Sequence, residues 1–245
     1  MPIHYARSLT ADQRSHRGDR HLGFALAFVA GAANAGAFLA VRLYTSHMTG
    51  LVSSMADHIA LGELTLALSA LGAVLSFLLG AVTSAVMINF ARDRQLRSRY
   101  ALPLLLEAAL LLAFGLLGAR LAQVPGLFVP ATVMLLCFTM GLQNAVVTKI
   151  SGAVVRTTHL TGVITDLGIE LGRWLYRTSG LSTDATQVAV NRARLSMLGL
   201  LCVSFLAGGV VGALGFKHMG YLATVPLAAL LVLISIVPVV DDLKA

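Results

Sequence analysis

Charged side chains are scarce in this sequence. Asp, Glu, Lys and Arg together make up 12% of its 245 residues, whereas hydrophobic residues make up 57%. Soluble domains carry about 25% charged residues, so the composition excludes an ordinary water-soluble globule. Two cysteines are too few for a disulfide framework. The class that remains is an integral membrane protein.

Recognised enzyme motifs are also missing. The sequence contains no paired-histidine zinc helix, Gly-x-Ser-x-Gly elbow, phosphate loop or dinucleotide fingerprint. No cofactor is therefore predicted, and an enzyme is the less favoured class. One alternative stays open, in which His47, His159, Asp57 and Asp166 converge as an intramembrane hydrolytic or metal site.

Long apolar runs dominate the chain instead. Six runs each reach the roughly 20 residues that a helix needs to cross about 30 Å of hydrocarbon. The sequence therefore predicts an all-α integral membrane protein with about six transmembrane helices. The runs cover residues 22–41, 64–91, 100–119, 121–148, 195–216 and 219–240.

The positive charges lie between these runs and mostly on one side of the predicted topology. All but three of the 18 Lys and Arg residues fall in the tails and in the second and fourth connections, the exceptions being Arg42, Arg120 and Lys217. The positive-inside rule then places both termini in the cytoplasm. The net charge of +7 thus follows membrane topology and predicts no nucleic-acid partner. The predicted regions are a cytoplasmic tail at 1–21, membrane repeats at 22–119 and 120–240, and a second cytoplasmic tail at 241–245.

Two polar motifs recur in the two halves of the chain. The sequence GAANA at 31–35 corresponds to GLQNA at 141–145, and HMTG at 47–50 corresponds to HLTG at 159–162. Each half contains three predicted crossings, an odd number, so the second half is expected to enter the membrane from the opposite side. Inverted repeats with broken helices form midplane binding sites in many secondary transporters. The repeat therefore predicts a site between the two halves.

A short polar stretch follows each His-x-Thr-Gly motif. Residues 49–62 are too few to span the membrane, and residues 161–176 are too charged to face lipid. Both are predicted to be re-entrant or interfacial half-helices, with the threonine as N-cap. Their positive dipole ends favour an anion or a carbonyl-rich solute. The predicted substrate-binding residues are Asn34, His47, Thr49, Gly50, Gln143, Asn144, Arg156, His159, Thr161 and Gly162.

Four acidic residues are the candidates for ion or proton coupling. Glu107 stands alone in the third run, where a carboxylate is costly unless it is paired or protonated. Structural roles are the alternative interpretation: histidines bonded to broken backbone, asparagines joining helices, and Arg173 paired with a carboxylate at the cytoplasmic rim. The four candidates are Asp57, Glu107, Asp166 and Glu170.

These motifs resemble those of the YoaK-like family of bacterial membrane proteins, a domain of unknown function. The resemblance rests on the two Asn-Ala pairs and the two His-x-Thr-Gly segments, and it implies a multi-pass protein of the bacterial cytoplasmic membrane without supplying a substrate. From the inverted repeats we predict a transporter or permease for an unknown small solute or ion, with the lipid bilayer as its surroundings. A channel, a lipid-handling protein, an intramembrane enzyme and a non-transporting scaffold are the alternatives, and a homo-oligomer is left open.

Overall fold

The computed structural model describes residues 16–121, 125–150, 160–179 and 191–244. All regular structure in these ranges is helical. The helices are α1 (His16–Val41), α2 (Met48–Ala60), α3 (Leu64–Asp93), α4 (Ala101–Leu121), α5 (Pro125–Ile150), α6 (Leu160–Thr178), α7 (Arg192–Met219) and α8 (Thr224–Leu243), with a 3-10 turn at Gly220–Ala223 between the last two.

Five segments of the described chain are long and apolar enough to cross a membrane. They are Arg20–Val41, Leu64–Asp93, Ala101–Gly118, Pro130–Ile150 and Arg192–Leu243. The last has 52 residues and contains α7, the 3-10 turn and α8, so two of the six apolar runs fall within one candidate segment. The prediction of an all-helical, multi-pass membrane protein is confirmed. The six predicted crossings correspond to five candidate spans, because the last two apolar runs lie in one segment.

The outward face of α3 shows why water is not its solvent. Large apolar side chains recur on it at helical spacing and remain exposed, including Leu68, Leu75, Leu79, Val82 and Val86. A soluble monomer rarely exposes so continuous an apolar surface. These side chains are therefore suited to contact lipid.

Helix packing sorts most of the bundle into two groups. Group A contains α1 and α7, which pack along each other, with α6 lying against α7. Group B contains α3 and α5, packed in the same manner, with α2 lying against α3. The third long pair is α4 with α8. Each group thus combines helices from both halves of the sequence.

Four glycines permit the closest helix contacts in the bundle. Each follows a phenylalanine by three residues, and a Cβ added to it would lie 2.0 or 2.1 Å from the backbone oxygen of a phenylalanine on the partner helix. Only glycine allows two backbones to approach so closely. The four contacts are Gly31 with Phe205, Gly208 with Phe28, Gly80 with Phe138 and Gly141 with Phe77.

The order of contacts along each pair gives the helix directions. In group A, Phe28 meets Gly208, and further along Gly36 meets Phe216, so α1 and α7 are parallel. In group B the contacts advance along α3 and α5 together, so these helices are parallel as well. The α4–α8 contacts run in opposite senses, with Gly115 against Thr224 and Gly118 against Tyr221. These two helices are therefore antiparallel.

Candidate functional site

The helical backbone is interrupted between α1 and α2, at residues 42–47, a segment called here the α1–α2 break. Arg42 has a left-handed backbone with φ +57°, while its N–H still donates to the Phe38 oxygen over 2.9 Å. The Tyr44 ring stacks on Phe38 with centroids 4.7 Å apart, and the Arg42 guanidinium carbon lies 5.8 Å from the Phe38 centroid. Stacking and cation–π contacts therefore hold the break in place.

Asn34 ties this break to α1. It is buried, and its Oδ1 accepts hydrogen bonds from the backbone N–H of Ser46 over 3.3 Å and from the Ser46 hydroxyl over 3.1 Å. An amide in an apolar helix normally finds such a partner. Asn34 therefore fits the alternative interpretation, a structural asparagine that joins segments of the protein, better than a role in binding substrate.

His47 is the N-cap of α2. The helix begins at Met48, and the Leu51 N–H donates to the His47 carbonyl over 3.1 Å. Thr49 lies exposed in the first turn, so the prediction that this threonine caps the helix is wrong for the first half. A Cβ on Gly50 would lie 3.0 Å from His47 Cδ2, which explains the small residue: the imidazole rests against Gly50.

The second motif lies only partly within the described residues. Thr161 and Gly162 are exposed in the first turn of α6, and a Cβ on Gly162 would meet no atom within 4 Å. Arg156 and His159 fall in the segment 151–159, outside the described residues. Their predicted roles stay predictions.

The two short helices lie at opposite ends of the bundle. α2 follows the C-terminal end of α1 and faces the start of α5. α6 is joined by hydrogen bonds and an ion pair to the N-terminal end of α7. Because α7 runs parallel to α1, this end lies opposite the C-terminal end of α1. The described residues therefore do not bring α2 and α6 into an extended contact, and a site shared by both His-x-Thr-Gly segments stays a prediction.

Ion pairs join α6 to α7. The buried Glu170 accepts from Arg173 over 3.0 Å and from the Asn191 backbone N–H over 3.3 Å. Asp166 accepts from Arg194 over 2.9 Å. Both carboxylates predicted to couple ions thus have partners within the protein, as in the ion-pair alternative.

The first half has a contact in the corresponding position. His58 of α2 lies 2.6 Å from the carboxylate of Glu63, measured from Nδ1 to Oε2, and Glu63 is the N-cap of α3. In the second half Glu170 occupies the place of His58 in the motif register and bonds to Asn191, the N-cap of α7. Each short helix is thus tied to the first residue of the following long helix.

Several buried polar side chains have atoms without a hydrogen-bond partner among the described residues, and two of them, Glu107 and Gln143, were predicted to be functional. Glu107 is fully buried, and neither carboxyl oxygen has such a partner. Gln143 donates from Nε2 to the Leu26 oxygen over 3.2 Å, while its Oε1 has none. Neighbouring Asn144 is buried and accepts the Thr148 hydroxyl on its backbone oxygen, whereas Asp57 is exposed on α2.

A cavity of about 310 Å³ lies where α1 ends. Its walls come from the break after α1, from α2, from the start of α3 and from the start of α5, so both halves of the chain contribute. None of the predicted substrate-binding residues that the structure describes lines it. The polar lining residues within the described ranges are Arg42, Ser54, His58 and Ser69, which the sequence analysis did not select as binding residues. Arg42, a rare cation outside the basic connections, is the one signal that could have found it.

One protein family matches the chain. A family described as "Protein of unknown function (DUF1275)" matches residues 22–237. The chain belongs to this family, and the resemblance inferred from the motifs is confirmed. No curated protein and no solved structure matches the chain.

Proposed function

We propose that this member of the DUF1275 family is a membrane transporter built from two inverted repeats. Its substrate cavity lies at the α1–α2 break, between helices of both halves. The single observation that carries the proposal is the pair of reciprocal Phe-x-x-Gly crossings in groups A and B.

The crossings support a repeated unit. In the order of elements along the two halves α1 corresponds to α5 and α3 to α7, so exchanging the halves converts the α1–α7 pair into the α5–α3 pair. The same contact, of a glycine with the backbone oxygen of a phenylalanine, occurs twice in each group. Independent helices would have no reason to repeat this pattern.

The helix directions support inversion. If every long helix crosses the membrane, alternation makes α1 and α7 run one way and α3 and α5 the other. The observed parallel pairs and the antiparallel α4–α8 pair fit that alternation. Three crossings per half then make the repeats inverted, as in many secondary transporters. The charge asymmetry of the connections supports cytoplasmic termini.

The two groups provide a moving boundary. Close backbone contact joins the helices within each group, whereas the cavity lies between the end of α1 in group A and the helices of group B. Rocking of one group against the other would open and close the cavity.

Uptake by proteoliposomes tests the proposal. The probes are radiolabelled benzoate, inorganic phosphate, alanine, glucose and sodium ions. A double-cysteine variant has cysteines at Val41, at the end of α1, and at Met134 of α5, both of which line the cavity. It is made in a background without Cys137 and Cys202, and a short bifunctional thiol reagent joins the two cysteines. Saturable uptake of one probe that the cross-link abolishes, with both single-cysteine controls active, is the expected result.

Two outcomes contradict the transporter. If no probe enters the proteoliposomes faster than it enters protein-free vesicles, the chain does not transport these solutes, and the result favours a non-transporting scaffold. If uptake is fast but does not saturate, the chain is a channel.

A further inference from the structure

We propose that the cavity at the α1–α2 break binds a small organic monocarboxylate, whose carboxylate meets Arg42 and whose apolar body fills the rest. The inference names the substrate class of the transporter and rests on the proposed function for that role, but binding itself can be measured separately. The inference rests on four properties of the cavity: its charge, its hydrogen-bond donors, the chemistry of its walls and its volume.

The charge of the cavity favours an anion. Among the lining residues that the structure describes there is no Asp or Glu, whereas Arg42 is present; His58 also lines the cavity but is paired with the carboxylate of Glu63. Among the described residues Arg42 has no carboxylate partner, in contrast to Arg173 and Arg194, which are paired with acidic residues of α6. A guanidinium without a carboxylate is free to bind one in a ligand.

The other polar groups limit how the anion is held. The Ser69 hydroxyl donates to the Thr65 carbonyl, so its proton is already used. His58 is held by Glu63 at Nδ1, which leaves Nε2 as the ring nitrogen for a ligand. Ser54 adds a hydroxyl donor. The cavity therefore offers one strong cationic group and few donors, enough for one carboxylate.

The walls and the volume set the rest of the ligand. Most lining side chains are apolar, among them Leu51, Leu66, Val133 and Met134. About 310 Å³ lies at the lower end of the roughly 300–1,000 Å³ usual for ligand pockets. Inorganic phosphate would leave oxygens facing apolar walls without donors, which is costly. A compact acid with an apolar body fits both features.

Direct binding to the full chain in lipid nanodiscs tests the inference. Benzoate is the probe, with benzamide as its neutral counterpart, inorganic phosphate as an anion without an apolar body, and laurate as a long-chain acid of the kind a bilayer supplies. Calorimetry is expected to show saturable benzoate binding and at least tenfold weaker binding of benzamide, a difference typical of one lost charge-assisted contact. Phosphate, which lacks an apolar body, and laurate, whose chain is not compact, should also bind more weakly than benzoate.

Two variants examine the site, each with a control. Arg42→Gln should weaken benzoate binding about tenfold or more, whereas Lys217→Gln removes a cation predicted on the same side and should leave it unchanged. Met134→Trp keeps Arg42 and fills the apolar space, so it should also weaken binding. This second variant keeps the test valid if Arg42→Gln does not fold.

The outcomes separate the site from the transporter. Equal benzoate affinity in the parent, Arg42→Gln and Met134→Trp would overturn the inference, as would benzamide or phosphate binding as tightly as benzoate. Tighter binding of laurate would overturn it in favour of a lipid-derived acid. Benzoate binding that needs Arg42, without uptake in proteoliposomes, would support the site and refute the transporter. Saturable uptake insensitive to Arg42→Gln would do the reverse.

Discussion

Alanine at Gly208 should separate α1 from α7. The added Cβ would lie 2.0 Å from the backbone oxygen of Phe28, whereas a comfortable carbon–oxygen contact is about 3.3 Å or longer. Since the obstructing atom is backbone, it cannot rotate away, and the helices must move apart by roughly 1 Å. The next residue provides a matched control, because a Cβ on Gly209 would lie 3.8 Å from the nearest atom, the Gly31 oxygen.

The free energies of the two variants should differ clearly. Overpacking of this kind costs about 1–3 kcal/mol, and a gap of up to about 1 Å also forfeits a quarter to a half of each dispersion contact along the interface. Alanine at Gly209 meets only ordinary contact. Both substitutions gain the same helix propensity of up to about 1 kcal/mol, so that gain cancels in the comparison. Gly208→Ala should therefore be less stable than Gly209→Ala by about 1–3 kcal/mol.

Unfolding of the purified variants in one detergent, followed by circular dichroism against temperature or denaturant, measures this difference. Gly141→Ala, the counterpart in group B, should lose stability as Gly208→Ala does, because its Cβ would lie 2.0 Å from the Phe77 oxygen. If Gly208→Ala is as stable as Gly209→Ala, the close backbone crossing is not what joins group A, and the description of both groups fails.

Three further substitutions probe separate contacts. Asp242→Ala removes the carboxylate that accepts hydrogen bonds from the backbone N–H groups of Arg97 and Ser98, just before α4, over 3.0 and 2.8 Å. This substitution should lower the free energy of unfolding by about 1–2 kcal/mol. The control Asp57→Ala, at an exposed position, should change the free energy of unfolding by less than about 0.5 kcal/mol. Glu170→Ala removes the carboxylate between α6 and α7, and trypsin should then cut α6 faster; an unchanged rate would show that these ion pairs do not hold the helix. Glu107→Met replaces an unpartnered buried carboxyl with an apolar side chain, so the unfolding temperature should rise while uptake is lost; retained uptake would remove Glu107 from the mechanism.

The helices could be predicted because the apolar runs result from one physical requirement. A chain that crosses hydrocarbon must satisfy its backbone internally and cover about 30 Å with apolar side chains. This requirement marks residues 22–41 and 64–91 regardless of what they pack against. The connection between α7 and α8 was recognisable for the same reason, because Lys217 and His218 interrupt the apolar sequence just before a four-residue turn with Gly220 at φ +59°.

The site was less predictable because its residues act through packing. Asn34 and Glu170 were recognisable as unusual, but only the fold shows that Ser46 and Asn191 occupy their polar atoms. His47 rather than Thr49 caps α2, because the helix begins two residues earlier than the Thr-Gly pair suggests. The cavity walls come from four separate segments, and no local pattern relates them.

The inverted repeat is the central claim, and thiol accessibility at equivalent positions tests it most directly. Single cysteines replace Leu61 and Ser179, which follow α2 and α6 and are both exposed, in a background without Cys137 and Cys202. An impermeant thiol reagent is then applied to right-side-out and to inside-out membrane vesicles. The account predicts that position 61 reacts only in right-side-out vesicles and position 179 only in inside-out vesicles. Reaction of both positions from the same side would contradict it.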